Sequence, residues 1–317
     1  MVGTDGRVFN DQRIAVVVPA FNEERHVGDV IQTMPDIVDH IVVVDDLSTD
    51  GTSDAARAVG DPRVEVIRHD VNKGVGGSIV TGHRRALELG ADVSVVMAGD
   101  AQMDPRYLPA LLEPVTDGHH GFAKANRFYS STSFSGMPKH RIFGNIVLTF
   151  LTKSASGYWN LVDPQNGYTA IRADVLRRLQ LHKLAERYEF ENDLLIWLNI
   201  LDVPAVDVPI PAVYGAETST LKLRRVVPRL LWLLFVGFWR RMFRKYVLWS
   251  FSPVALLLFV GCFLVLVGLG IGTWAAISSI GPDEPSAGTV LLAVTPFVTG
   301  VQMIIQSLVL DIQATPK

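Results

Sequence analysis

Ser94-Val95-Val96-Met97-Ala98-Gly99-Asp100-Ala101-Gln102-Met103-Asp104-Pro105 is the stretch that decides the fold. An apolar run drops onto a small acidic turn, and Pro105 then suits the first turn of a helix. A strand that is apolar on both faces belongs in a parallel sheet covered on both sides, with such a turn at its carboxyl edge, where ligands collect. Asp100 and Gln102 offer oxygen donors of the kind that hold a hard divalent cation. Ala98 stands where a second acid would be expected if two carboxylates shared that ion.

The same pattern recurs upstream. Ile14-Ala15-Val16-Val17-Val18 ends at Pro19 and is followed by helical spacing over 23–34. Ile41-Val42-Val43-Val44 ends at Asp45-Asp46 and precedes a helix from about Thr52. Val64-Glu65-Val66-Ile67 reads as a third strand with a helix over 76–89 after it, and 93–97 as a fourth with a helix over 105–115. Strand and helix alternate through short loops, which predicts an α/β class with a mostly parallel sheet. Beyond residue 118 the alternation is irregular: a polar loop over 129–139, a helix over 141–153, a strand at Tyr168-Thr169-Ala170-Ile171, a helix over 191–201 and a strand over 205–209.

Charge is distributed unevenly. The net charge of −3 gives no electrostatic footprint for nucleic acid. Between Glu217 and Asp283 there is no carboxylate, yet Lys222, Arg224, Arg225, Arg229, Arg240, Arg241, Arg244 and Lys245 crowd the first part of that interval, with Trp232, Trp239 and Trp249 among them. One sign of charge beside apolar residues reads as a membrane-surface segment. Two uncharged stretches follow, 251–280 and 288–310, each long enough for a transmembrane helix. The basic block precedes the first of them, so the positive-inside rule places the N-terminal part in the cytoplasm. The N-terminal residues are polar and lack a signal-peptide core, and the single Cys262 lies in an apolar run, which excludes a disulfide framework. Gly268, Gly270 and Gly272 permit close helix packing, including packing between copies in a homo-oligomer.

Four strand ends bring polar residues to one rim: Pro19-Ala20-Phe21-Asn22-Glu23-Glu24, Asp45-Asp46-Leu47-Ser48-Thr49-Asp50-Gly51-Thr52, Asn72-Lys73-Gly74 and Gly99-Asp100-Ala101-Gln102. Turn and cap chemistry accounts for Asp50 and Thr52. An acid pair directly after a buried strand is costly unless it meets a ligand or metal. Gly74-Val75-Gly76-Gly77 is not in the dinucleotide-binding position and there is no Walker A sequence, so these glycines read as sites where a helix N-terminus approaches other backbone, with Lys73 in reach of a diphosphate.

Taken in order, these motifs resemble the family 2 glycosyltransferases of the GT-A fold, and within them the dolichyl-phosphate mannose synthase and polyprenyl-phosphate glycosyltransferase branch. Asp163-Pro164-Gln165-Asn166-Gly167-Tyr168 with Arg172, and the segment 217–222, resemble later motifs of that branch, so the likeness spans roughly 14–222. It implies a nucleotide-sugar donor held by Pro19, Ala20, Phe21, Asn22, Glu23, Asp45, Asp46, Lys73, Gly74 and Asp100. It also implies Mg²⁺ or Mn²⁺ on Asp100 and Gln102, although the family usually carries Asp at the position of Ala98. Arg127, Arg141 and Lys222 are expected to receive the phosphate of a polyprenyl (undecaprenyl or dolichyl) acceptor, and Asp193 to orient it, which makes Asp100, Gln102, Arg127 and Asp193 the expected catalytic set. The implied reaction is inverting transfer of a hexose from a GDP-mannose or UDP-glucose type of donor at the cytoplasmic face of the cell membrane. The expected organisation is a catalytic domain over 1–220, basic interfacial helices over 221–249 and a two-helix transmembrane hairpin over 250–317. A processive polysaccharide synthase is disfavoured by the lack of a Gln-x-x-Arg-Trp motif and by two spans only. A non-catalytic scaffold of the same fold remains a rival on Ala98 alone.

Overall fold

All seven residues of the first strand, β1 (Ile14–Ala20), are buried, as an apolar run covered on both faces requires. A computed structural model describes residues 9–129, 139–211, 223–279 and 285–317, with the backbone alone for 139–143 and 223–225. Beside β1 lie β2 (His40–Asp45), β3 (Val64–Arg68), β4 (Val93–Val96), β5 (Phe122–Asn126), β6 (Thr169–Arg172) and β7 (Ala205–Pro209), in the spatial order β3-β2-β1-β4-β6-β5-β7. All pairings are parallel except those of β6, which runs against both β4 and β5. The mostly parallel α/β sheet expected from the sequence is therefore present, with one reversed strand.

Helices cover the two faces. One core layer joins the sheet to α1 (Val27–Gln32) and α4 (Leu108–Thr116), with α2 (Thr52–Ala58) contributing Ala56. The other face carries α3 (Val75–Glu88), α5 (Lys139–Ser156), α6 (Ala173–Arg178) and α7 (Phe190–Ile200), closed by Leu230 and Leu234 of α8 (Leu223–Arg241). Pro105 opens a single 3-10 turn capped by Asp104, whose side chain accepts from the Arg106 N–H, before α4 begins. Strand β5 escapes a reading of apolar runs because Lys124 and Asn126 interrupt it. Lys124 is nonetheless 1% exposed, with Nζ 3.1 Å from Asp207 Oδ1 on β7 and bonded to the Asp163 carbonyl.

The chain divides into two compact units, Met1–Phe238 with Pro316–Lys317 and Trp239–Thr315. In the second, a π-helical segment (Met242–Trp249) leads to α9 (Pro253–Ser278) and α10 (Ala287–Gln313). At about 1.5 Å per residue, the 26 and 27 residues of these helices exceed the roughly 30 Å of a bilayer core. They pack on each other through glycines: a Cβ on Gly261 would meet the Gly300 carbonyl at 2.8 Å, and one on Gly268 the Ala293 carbonyl at 2.8 Å. Gly268 is thus used inside the hairpin, whereas Gly270 faces open space. Asp311 of α10 is 3% exposed and takes a two-pronged bond from Arg241, at 2.6 and 2.9 Å, with the Tyr246 hydroxyl at 2.6 Å.

The tightest seam beneath the rim is between α3 and β1, where a methyl on Gly82 would fall on the Val17 side chain. Gly82→Ala is expected to lower stability by about 1–3 kcal/mol through overpacking. Gly144→Ala, a helical position with open space around it, should leave stability equal or raise it by up to about 1 kcal/mol. Thermal unfolding of the two full-length variants in the same detergent checks both signs.

Candidate active site

The carboxyl ends of β1, β2 and β4 each turn through a residue in the left-handed region: Asn22 at φ 60°, Leu47 at φ 63° and Ala101 at φ 58°. Leucine and alanine enter that region at a cost of about 1–2 kcal/mol, so the surrounding bonds must impose it. They are visible. Asn22 Oδ1 accepts from the Thr49 N–H at 2.8 Å, Ser48 Oγ from the Asn22 N–H at 3.0 Å, and Thr52 Oγ1 from the Glu23 N–H at 2.9 Å. The first two turns are thereby stitched into one rigid edge.

The acid pair after β2 is satisfied by the protein itself. Asp45, fully buried, accepts from the Ser48 N–H at 2.7 Å and from the Ser53 hydroxyl. Burial would raise its pKa, but these bonds and the nearby Arg68 charge outweigh that and hold it below the usual carboxylate value. Asp46 accepts from His69 Nδ1 at 2.8 Å, the Lys73 N–H at 2.8 Å and the Gly74 N–H at 2.7 Å. The inference that two acids here must meet a ligand is corrected: donors from the chain meet both.

A cavity of about 460 Å³ opens above this edge, lined by Pro19, Ala20, Phe21, Glu23, Asp46, Asn72, Gly74, Val75, Ser78, Ala98, Gly99, Asp100, Arg187 and Tyr188. Of the expected donor residues it brings together Pro19, Ala20, Phe21, Glu23, Asp46, Gly74 and Asp100. Asn22 and Asp45 are engaged in the turns and do not line it, nor does Lys73, whose backbone serves Asp46 and whose side chain is exposed. A second cavity of about 180 Å³ is lined by Asp100, Gln102, Met103, Asp104, Ala125, Arg127, Gln165, Asn166, Gly167, Tyr168, Ile210 and Pro211. Asp100 lines both.

In the Asp100 turn, Oδ1 accepts from the Gln102 N–H at 3.0 Å, and the Ala98 N–H points to Met103 Sδ at 3.2 Å. Asp104 is committed to Arg106, at 2.6 Å, which holds its carboxyl below the usual value. Arg127 lines the second cavity with its side chain 37% exposed, forking onto Asp163 at 2.7 and 3.1 Å. Burial would raise the Asp163 pKa, but Arg127 and then Lys124 dominate and lower it. Lys124, Arg127, Asp163 and Asp207 so form a charge-balanced group beneath the 163–167 turn.

Asp193 lines neither cavity. It is 2% exposed at the start of α7, where its Oδ2 accepts from the Ala185 N–H at 3.0 Å and so braces the 184–190 segment. The Arg141 side chain and all of the 217–222 segment, Lys222 included, lie outside the described residues, as does most of the 129–139 segment. Arg187 and Tyr188 were missed because they follow no strand. The only signal was an arginine beside an aromatic residue in a charged loop, and the glycines of 74–77 are what bring that loop to the rim.

A family model described as glycosyl transferase family 2 matches residues 15–180. The UDP-N-acetylglucosamine–dolichyl-phosphate N-acetylglucosaminyltransferase of Methanococcus voltae is 30% identical over 219 residues, 64% of this chain and 87% of that protein. The undecaprenyl-phosphate mannosyltransferase of Micrococcus luteus is 32% identical over 203 residues, 62% and 82% of the two chains. Among solved structures, glucosyl-3-phosphoglycerate synthase from Mycobacterium tuberculosis with uridine diphosphate superposes with a TM-score of 0.53 at 22% identity, covering 73% of this chain and 80% of that one. That synthase has also been crystallised with Mn²⁺ and with Mg²⁺. The fold is the GT-A fold expected from the motifs. The chain belongs to glycosyl transferase family 2 and is a glycosyltransferase.

Proposed function

We propose that the protein transfers a hexose-type sugar from a nucleoside-diphosphate sugar to a polyprenyl phosphate at a membrane surface, with inversion at the anomeric carbon. The observation that carries this reading is the pair of cavities meeting at Asp100. The larger, with Pro19, Ala20, Phe21, Glu23 and Gly74 on its wall, has the size and the mixed apolar and polar lining for a nucleotide sugar. The smaller takes the acceptor phosphate beside Arg127 and the 163–167 turn. The relatives in Methanococcus voltae and Micrococcus luteus differ in the sugar their names give and share a polyprenyl-type phosphate acceptor, which supports the acceptor class and leaves UDP and GDP donors both in play.

A phosphate monoester is already anionic at neutral pH, so it attacks without a strong general base. Alignment and stabilisation of the departing diphosphate then carry the catalysis. Among the described residues no group of three or more His, Cys, Asp or Glu could hold a metal by itself. One carboxylate, Asp100, with the Gln102 side chain beside it fits an ion that takes its remaining ligands from the diphosphate and water, as Mg²⁺ commonly does. When bound, such an ion offsets charge on the departing diphosphate.

The membrane part of the proposal rests on sequence and helix length. The catalytic domain spans about 1–220 and faces the cytoplasm, the basic 221–249 segment lies in the headgroup layer, and α9 and α10 span the bilayer as a hairpin. Exposed Trp232, Phe235, Phe243 and Trp249 suit the interface.

Full-length protein in detergent, given undecaprenyl phosphate and a panel of UDP and GDP sugars, should release nucleoside diphosphate only when both substrates are present. EDTA should stop release and Mg²⁺ or Mn²⁺ restore it. Asp100→Ala is expected to lower kcat by about 100-fold or more. Wild-type turnover in that variant would overturn the role of Asp100, and no release with any donor would overturn the reaction. Mn²⁺ titrated alone should bind weakly, and binding should tighten on adding UDP or GDP; tight binding without nucleotide contradicts a one-carboxylate site.

Glu191, beside the 163–167 turn, links fold stability to pH. Its Oε1 lies 3.6 Å from where a Cβ on Gly167 would sit, and burial, with some help from Glu189, pushes its pKa up to about 7. A carboxyl raised in the folded state costs stability as pH rises from its unfolded value, about 4.3, through about 7. Glu191→Gln should therefore melt close to wild type at pH 4.5 and above it at pH 8, a gap that thermal melts at the two pH values measure.

A further inference from the structure

The charges around the larger cavity are one-sided. Glu23, Asp46 and Asp100 line it, and among the described lining residues the only cationic side chain is Arg187. A helix N-terminus such as that of α3 often supplies positive potential for a phosphate. Here part of that capacity is already used: Asp46 takes the Lys73 and Gly74 N–H groups just before the helix, and the Glu186 carbonyl takes the Gly77 N–H at 2.9 Å. Lys73, the cation the sequence suggested, does not line the cavity. A nucleoside diphosphate brought into this site therefore meets three acids and one arginine.

Arg187 is held for that encounter. Its stem lies over Gly74, where a Cβ would meet Arg187 Cγ at 2.9 Å and the Glu186 carbonyl at 2.7 Å. A Cβ on Gly76 would meet the Ala185 carbonyl at 2.5 Å and Phe190 Cβ at 2.8 Å. Segment 184–190 is thus pressed into the glycine turn, and Asp193 fastens it from the other side by accepting the Ala185 N–H at 3.0 Å. The guanidinium itself has no ion pair or hydrogen bond among the described residues. Tyr188 beside it is 52% exposed on the same wall.

The geometry points to Arg187 as the protein's own cation for the diphosphate of the donor, and to Asp193 as the positioning residue that fixes the segment carrying it. This rests on the donor assignment made above. In that arrangement the guanidinium contacts the phosphate oxygens of the bound donor and stays with them as the bond from the anomeric carbon to the diphosphate oxygen breaks. The electron pair of that bond leaves with the diphosphate, so Arg187 acts where negative charge accumulates.

The test compares UDP and GDP with UMP and GMP, bound to detergent-solubilised full-length protein in Mg²⁺ by calorimetry. Wild type should prefer each diphosphate over its monophosphate. Arg187→Ala should weaken diphosphate binding on the order of tenfold and leave monophosphate binding unchanged, with Arg187→Lys in between. Because Arg187 is exposed, this variant should melt with wild type. An unchanged diphosphate preference in a folded Arg187→Ala protein overturns the inference. Absence of nucleotide binding in wild type overturns the donor assignment itself, a distinguishable result. Asp193→Ala should mimic Arg187→Ala, whereas Asp193→Asn, which keeps an oxygen for the Ala185 N–H, should restore the preference. Loss in both Asp193 variants contradicts the positioning role.

Discussion

The carboxylate of Asp46 is the interaction on which the rest of the site hangs. Buried to 3% exposure, it gathers His69, the Lys73 N–H and the Gly74 N–H. A buried acid with any of these donors removed would carry a desolvation cost of about 1–3 kcal/mol per lost bond, so the arrangement is close to all-or-none. It fixes where the 72–74 turn leaves β3 and where α3 begins. His69 is anchored in turn by the Thr81 hydroxyl one helical stretch later, at 2.9 Å. From that anchor follow the close passage of 184–190 over Gly74 and Gly76 and the tight seam of α3 on β1 at Gly82.

A second constraint is the shortage of protein carboxylates at the β4 end. With alanine at 98, the turn keeps its shape through the Asp100–Gln102 bond, the Met103 sulfur contact and the left-handed Ala101. None of these needs an ion. The turn is preformed without an ion, so in the reading proposed above a metal on Asp100 would draw its remaining ligands from the diphosphate and water. In a cavity with three acids on its wall, that dependence would make the proposed ion and donor bind as one charge-matched unit.

The parallel half of the sheet was legible because its strands are apolar runs broken by rim motifs, as at Val16-Val17-Val18-Pro19 and Val42-Val43-Val44-Asp45. The strand at Tyr168-Thr169-Ala170-Ile171 was legible too, as β6, although not its antiparallel direction; the polar-interrupted β5 was not, since Lys124 is buried only by virtue of Asp207 and Asp163, residues far along the chain. At the site, sequence order exposed residues that end strands: Asn22 and Asp45 spend side-chain oxygens on neighbouring turns, and Lys73 gives its backbone N–H to Asp46 while its side chain stays exposed. Arg187 had no strand end to mark it. The glycines at 74, 76 and 77 were readable as places of close backbone approach, and what approaches them is the Arg187 segment.

The same logic of approach and fastening governs the C-terminal hairpin. In the bilayer setting proposed above, helices gain nothing from burying leucine against leucine, so association depends on close contact and on polar groups that have no alternative partner. Gly261 against Gly300, and Gly268 against Ala293 and Phe297, bring the backbones together. Ser307 adds a bond to the Val254 carbonyl at 2.8 Å. At the far end of α10, Asp311 would be a costly charge on its own, and Arg241 with Tyr246 satisfies both of its oxygens. Removing Arg241 strands the buried Asp311 charge, and removing Tyr246 costs one hydrogen bond, so the last turn of α10 is fastened at the junction of α8 and the π-helical segment. That segment carries Arg244 and Lys245, and its attachment fixes these cations at one end of the hairpin.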